Sequence, residues 1–363
     1  MRDLIDAVSR ALSRSGSSTS GLSLARTLST HDRSDVAVLT TASHERFIAK
    51  RFRLEDAELR FEAEMTALEA LEARPLSPVA HLLGTDRQAL VLVMEYVGDT
   101  SVEDLLHGGH REETEQALVG YASAIGRLHR AGSEAIGALR QRREAHGYPD
   151  NRFWPAFARD PQASGLATYT NASPELVTSE IKSVVAKTFA DPHERRTLVQ
   201  WDSWPGNSIV RAEQTVLVDL ENSMSGDPFI DVASWHLSFP AAPHRLPLPG
   251  AIPAQLVTQM DAAYAGASGQ EIDLRALAFG VASRMLFEVT ASGAQKLAAG
   301  TLDPRIRLLY ARRLETAAEA LRRAAVLPTL TDAMLAMAAR ARGVDLANAE
   351  LSTYPALRGY SIP

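Results

Sequence analysis

The chain has no cysteine among its 363 residues. Disulfides, thiolate zinc centres and cysteine nucleophiles are therefore excluded, and a reducing cytoplasm is the simplest home. Lysine is nearly as scarce: of 38 basic residues only Lys50, Lys182, Lys187 and Lys296 are lysines. Arginine's broad fork has replaced lysine's compact ammonium almost everywhere, so a lysine kept in a strand-like run, as Lys50 is, stands out. Basic charge is not in surplus: the net charge of −6 argues against a nucleic-acid binder, which needs a basic surface. No apolar run approaches the ~18 residues of a membrane-spanning helix. Met1-Arg2-Asp3 opens into an amphipathic segment, with no signal peptide expected. Also missing are a glycine-rich strand-to-helix loop and a serine in a Gly-x-Ser-x-Gly elbow. No histidine pair stands at i, i+4; His107 and His110, at i, i+3 beside two glycines, read as loop residues.

What is present is an ordinary globular balance, 45% hydrophobic and 23% charged, in a chain long enough for two lobes. Leu4, Ile5, Val8 and Leu12 fall at helical spacing, so residues 2–13 read as a short helix before a serine-rich loop at 13–21. Strand patterns follow at Leu22–Leu28, Val36–Thr41 and Arg46–Phe52. A helix rich in Glu, Ala and Leu is expected over Glu55–Ala73, stopped by Pro75 and Pro78. Two more strands are expected at Val79–Leu83 and Ala89–Tyr96. After Gly98 the texture turns helical, at Thr100–His107 and Thr114–Ala131. Residues 132–175 read as an irregular insertion with Tyr148, Phe153 and Trp154. Pro174–Ala190 reads as a helix capped by Ser173. A strand–loop–strand then spans Leu198 to Leu220, and helical patterns recur at Ala254–Tyr264, Leu274–Ala291, Ile306–Ala325 and Thr331–Arg342. The division is 1–21 as an N-terminal helix and loop, 22–98 as a small lobe with its exit, and 99–363 as a larger, mainly helical lobe.

The chemistry concentrates near residue 200. Asp202 is followed five positions later by Asn207, and Val216-Leu217-Val218 leads into Asp219. One carboxylate to orient a hydroxyl, with an amide and a second carboxylate to hold metal-bound phosphates, is what phosphoryl transfer requires. Each residue alone reads more simply: Asp202 and Asn207 as turn residues, Asp219 as an acid at the exit of a buried strand. Gly226-Asp227-Pro228-Phe229-Ile230-Asp231-Val232-Ala233 follows closely. There Asp227 opens a turn before Pro228, and Asp231 is placed to cap a helix from Val232.

Together these segments carry a resemblance. Val199 to Asn207 resembles the His-Gly-Asp-x-x-x-x-Asn segment of the aminoglycoside phosphotransferase family. Val218 to Glu221 and Gly226 to Ala233 resemble its Ile-Asp-Phe-Glu and Gly-Asp-Pro-x-x-Asp-Leu-Ala segments. The family shares the protein-kinase-like fold with choline and homoserine kinases. The resemblance implies an α+β, two-lobed molecule with a small antiparallel five-stranded N-lobe and a larger helical C-lobe. It implies that Lys50 grips the ATP phosphates and that Glu64, fourteen positions on, pairs with it; Glu58 and Glu62 are rivals on the same helix. Backbone groups of about Glu95 and Val97 would meet the adenine. Asp202 would be the catalytic carboxylate, and Asn207 and Asp219 the Mg²⁺ ligands, with Glu221 a lesser contact.

The implied function is transfer of the γ-phosphate of ATP to a hydroxyl of a small molecule. A cationic acceptor of the aminoglycoside kind would suit an acidic pocket. Serine or threonine of a peptide is an alternative acceptor, and a non-catalytic pseudokinase is an alternative of another class. Departures from the pattern motivate the latter. Gln200 and Trp201 stand where the family has His and Gly, and Trp204 adds a second ring to the loop. Core packing for Trp201 and loop anchoring for Trp204 are as plausible as substrate contact. The link Ser29–Asp35, where a phosphate-covering loop belongs, has no glycine.

Overall fold

The computed structural model describes residues 2–14, 20–30, 33–54, 56–72, 74, 77–160, 166, 173–190, 195–212, 214–239, 250–289 and 291–359. Residues 15–19 of the serine-rich loop, His31 and Asp32, the helix ends Glu55 and Ala73, Pro75, and Pro161 of the long connection lie outside them.

The first helix, α1 (Arg2–Arg14), precedes five strands: β1 (Ser23–Thr30), β2 (Ser34–Thr40), β3 (Arg46–Phe52), β4 (Leu82–Asp86) and β5 (Val91–Glu95). They form one antiparallel sheet in the order β1-β2-β3-β5-β4. Alternation of side chains across the pleat gives the sheet two apolar faces. One is covered by α1, whose Leu4, Ala7, Val8, Ala11 and Leu12 pack with Ala37, Leu39, Phe47, Ala49, Val91 and Val93. The other meets α2 (Ala57–Glu72), built of strong helix formers and buried along most of its length. Lys50 sits on β3 opposite Val36 and Leu92.

The strand read at Val79–Leu83 begins instead at Leu82. Val79 makes a single parallel bridge to Leu217, and Pro78 accepts the Leu217 N–H at 2.6 Å. Proline has no N–H for a sheet ladder, and here its carbonyl ties the segment to the second lobe.

That lobe opens with α3 (Val102–Gly108), started by a capping box between Ser101 and Asp104. Next comes α4 (Arg111–Ala145), 35 residues long. The sequence pattern ended this helix at Ala131 and left 132–175 irregular, whereas the helix runs on to Ala145. The glycine at 132 serves packing: a Cβ there would lie 2.6 Å from Thr197 Oγ1 and 2.8 Å from Leu198 N. The following Ala, Leu, Arg and Glu residues carry the helix on. A 3₁₀ turn (Asp150–Phe153), α5 (Ala156–Arg159) and α6 (Pro174–Val185) follow. Ser173 caps α6 by accepting the Leu176 N–H, and Ala186–Ala190 closes it in a wider, π-type turn.

Four short strands carry the central chemistry: β6 (Thr197–Val199), β7 (Ser208–Arg211), β8 (Gln214–Leu217) and β9 (Met224–Gly226). β6 pairs with β9 and β7 with β8, both antiparallel. The remaining helices, α7 (Phe229–His236), α8 (Ala254–Ser268), α9 (Leu274–Glu288), α10 (Ala291–Ala298), α11 (Pro304–Arg323) and α12 (Pro328–Arg342), surround α4 and the four strands. Among the described residues no helix is long and apolar enough to cross a membrane.

Candidate active site

The loop after β6 is organised from below by Asp231. This residue lies inside α7, fully buried, and α7 begins at Phe229. It therefore does not cap a helix starting at Val232; Asp227 takes the capping part by accepting the Phe229 N–H at 2.9 Å. Asp231 instead accepts the N–H groups of Gln200 at 2.6 Å and Trp201 at 2.9 Å, and the Ser203 hydroxyl at 3.0 Å. His129 from α4 donates through Nε2 at 3.1 Å, and Arg284 from α9 stands 3.6 Å away. Burial alone would raise this carboxyl's pKa. The His129 hydrogen bond and charge, then Arg284 and the Gln200 N–H, outweigh it and hold the group below the usual carboxylate range. Tyr121 of α4 adds a hydrogen bond to Ser203 O at 3.0 Å. Asp202 thus projects from a loop fixed on both sides.

The Gln200 amide donates to Val218 O at 2.9 Å, linking the loop to the chain just before Asp219. Trp201 has φ of 65°, the left-handed region that a glycine enters freely and other residues enter at a cost. Its ring is buried against Phe287 and Phe189, at centroid distances of 5.0 and 5.8 Å, with the Arg284 guanidinium 5.0 Å over it. The backbone shape natural to glycine is kept, and the side chain is packed into the core. Trp204 is anchored through its indole N–H to Glu103 at 2.8 Å.

Asn207 and Asp219 are brought together by the β7–β8 hairpin. Asn207 O accepts the Val218 N–H at 2.9 Å, one residue before Asp219. The Asn207 amide donates to Asp202 O at 3.0 Å, which leaves its oxygen for another partner. Asp219 also adopts a left-handed backbone, φ 63°, a conformation Asp tolerates better than most residues.

Across from this hairpin lies the one buried lysine. Lys50 Nζ meets Glu64 at 2.6 Å, Asp219 at 2.5 Å and Glu221 at 2.9 Å. The rival acids on α2 point elsewhere: Glu62 binds Arg87 and His146, and Glu58 accepts the Tyr148 hydroxyl. Burial would lower the Lys50 pKa, but Asp219, then Glu64 and Glu221, hold it well above its ordinary value. Glu64 is raised despite its lysine partner, first by burial and further by Asp219 and Glu221. Three carboxylates surround one ammonium, a formal surplus of two negative charges. Their oxygens lie within 4.8 Å of one another. An all-oxygen donor set with surplus negative charge suits a hard divalent cation.

At the exit of β5, the Glu95 N–H donates to His81 O at 2.9 Å and its side chain pairs with Arg211. Val97 is buried and makes no backbone hydrogen bond to another described residue. Beside Asp202 opens a cavity of about 440 Å³, walled by Phe153, Trp154, Trp201, Phe287 and a set of arginines. Phe153 and Trp154 of the long connection therefore reach the site, whereas Tyr148 turns to Glu58.

Sequence reasoning did not find the part played by Asp231, Arg284 and His129, nor the closeness of Glu221 to Lys50. For Asp231 and Glu221 a signal existed, since acids two or three residues from a recognised segment are candidates for holding it. For Arg284 and His129 none did, because one arginine and one histidine in helical patterns look like any others.

Residues 27–272 match the model of a phosphotransferase enzyme family. The match spans more than half of the chain, which belongs to that family, and the resemblance read from the motifs is borne out. No curated protein sequence matches. Among solved structures, a candidate fructosamine-3-kinase from Thermobifida fusca is 17% identical with a TM-score of 0.54, over 89% of this chain and 99% of that one. A macrolide 2'-phosphotransferase from Brachybacterium faecium is 17% identical with a TM-score of 0.51, covering 87% and 96%. A candidate aminoglycoside phosphotransferase from Ralstonia eutropha is 16% identical, also with a TM-score of 0.51, covering 88% and 93%. At such identities the likeness shows the fold, which is kinase-like: a five-stranded antiparallel sheet followed by a mostly helical part.

Proposed function

We propose, from membership of the phosphotransferase family, that this chain is an ATP- and Mg²⁺-dependent enzyme that phosphorylates a hydroxyl of a small molecule. The observation that carries the reading is the meeting of Lys50, Glu64 and Asp219 from three separate elements, beside a loop that presents Asp202. In this reading residues 22–98 bind the nucleotide and residues 99–363 supply catalysis and acceptor binding. Backbone groups of about Glu95 and Val97 meet the adenine. Lys50, held in place by Glu64, binds the α- and β-phosphates as a point charge.

Asn207 and Asp219 would hold Mg²⁺, with Glu221 as a further oxygen within reach of Asp219. Bound Mg²⁺ supplies neutralisation of the phosphate charge. Asp202 orients the acceptor hydroxyl in line and takes its proton. The acceptor oxygen bonds to the γ-phosphorus, the bond from that phosphorus to the β,γ-bridging oxygen breaks, and ADP leaves. The transition state is loose, so positioning matters more than basicity. That is why the firm seating of the Asp202 loop on Asp231 supports the reading.

A cavity of about 440 Å³ falls in the range of small-molecule sites, which favours a small acceptor over a peptide. Retention of Lys50, Glu64, Asp202, Asn207 and Asp219 together disfavours a pseudokinase. The test is a transfer assay with γ-labelled ATP, Mg²⁺ and a panel of hydroxylated acceptors. Label moving to an acceptor in a Mg²⁺-dependent way supports the proposal. Absence of both Mg²⁺-dependent ATP binding and transfer across the panel would overturn it.

A further inference from the structure

We propose that the acceptor carries an anionic group, a carboxylate or a phosphate, held by Arg152 and Arg159 in the cavity beside Asp202; the inference rests on the phosphoryl-transfer reading. Five arginines line that cavity: Arg33, Arg60, Arg152, Arg159 and Arg284. The acids lining it are Asp56, Asp202, Glu221 and Glu288, and two of these have cationic partners, although Glu221 shares its own with Glu64 and Asp219. Both oxygens of Glu288 accept from Arg313, and Glu221 lies 2.9 Å from Lys50. Asp202 is the catalytic carboxylate of the proposed reaction.

The arginines are differently placed. Arg284 is committed to Ile230 O and Ser203. The side chains of Arg33, Arg152 and Arg159 make no hydrogen bond or ion pair to any other described residue. Arg60 is only 4% exposed; its Nη2 donates to Arg33 O and Arg53 O and its Nη1 stands 3.6 Å from Glu221, while Nε has no hydrogen-bond partner. A buried guanidinium with an unused donor is costly unless an acceptor arrives. The planar fork of arginine matches a carboxylate or phosphate with two parallel hydrogen bonds.

A cationic acceptor of the aminoglycoside kind would enter this cavity against like charge. On the described walls beside Asp202 arginines outnumber acids. Phe153, Trp154, Trp201 and Phe287 complete the lining, offering flat apolar faces to the rest of the acceptor. Arg152 and Arg159 lie on the connection after α4, whereas Arg33 belongs to the link between β1 and β2, where a phosphate-covering loop belongs. Arg152 and Arg159 are exposed, and their replacement leaves the core intact.

The test measures binding of matched probes to protein saturated with a non-hydrolysable ATP analogue and Mg²⁺, so that the nucleotide phosphates already occupy their place. The probes are 3-phenyllactate and 2-phenylethyl phosphate as anions, 3-phenylpropanol as the neutral form, and phenylalaninol as the cation. The expected result is that at least one anion binds about tenfold or more tightly than phenylalaninol, a difference of about 1.4 kcal/mol. The tighter anion identifies the group. In the double variant Arg152→Gln, Arg159→Gln the preference falls to within about threefold, with affinity for the ATP analogue unchanged. Equal or tighter binding of phenylalaninol, no binding of any probe, or a preference that survives the double variant overturns the inference. So does a double variant that weakens the nucleotide instead. A wild type that fails to bind the ATP analogue strikes the transfer reading as well; normal nucleotide binding with cationic preference strikes this inference alone.

Discussion

Asp231 is the residue on which the site's geometry depends most. A fully buried carboxylate is tolerable only when its oxygens are satisfied, and Asp231 is met by two N–H groups, a hydroxyl and an imidazole. Asp231→Asn places an amide N–H₂ against these donors. It should cost roughly 3 kcal/mol at neutral pH, read by urea unfolding. The sign with pH follows from the lowered pKa. The stabilisation is fully present above the unfolded carboxyl value of about 4 and is lost as pH falls through the lower, folded value. The gap between wild type and variant should therefore shrink in acid, and a constant gap down to about pH 3 would contradict the assignment. At this scale legibility was uneven. Lys50 was visible because lysine is so rare here, and Glu64 because of its spacing. Asp231 was visible as a residue but not as the loop's foundation, since a buried multi-donor contact leaves no periodic trace.

At the scale of elements, the loop from Gln200 to Asn207 sets two effects of Trp201 against each other. A left-handed non-glycine residue costs roughly 1–2 kcal/mol, whereas losing a buried tryptophan ring costs roughly 3–5 kcal/mol. Packing wins, so Trp201→Gly should destabilise the protein by about 1–4 kcal/mol despite relieving the backbone. A more stable variant would show the ring to be dispensable. The α1 helix offers a second case. Leu12 is fully buried on the outer face of the sheet, and Leu12→Ala should cost about 2–5 kcal/mol, with faster amide exchange in β4 and β5. Exchange unchanged in those strands would mean that α1 is not part of the sheet's core. The helices were legible where apolar residues recur at helical spacing, as in α1, α2 and α11. The extension of α4 past Gly132 was not, because a glycine kept for close approach to β6 has the same letter as one that ends a helix. Boundaries also moved where hydrogen bonds run to distant chain, as at Pro78 and Val79.

Across the whole molecule, the sheet and the helical part meet at Lys50, whose ammonium bonds α2 on one side and the β7–β8 hairpin on the other. The fold class was readable because three spaced segments agreed with the order of strands and helices around them. The character of the cavity beside Asp202 was not, because its arginines come from distant stretches and only the fold collects them. The measurement that bears most directly on the account is a paired titration and turnover assay of wild type and Asp202→Asn, with ATP, Mg²⁺ and an accepted hydroxyl compound. Asp202 is assigned to the hydroxyl and not to the nucleotide. The account predicts ATP affinity within about twofold of wild type and turnover reduced by about 10²–10⁴. Undiminished transfer by Asp202→Asn would contradict it.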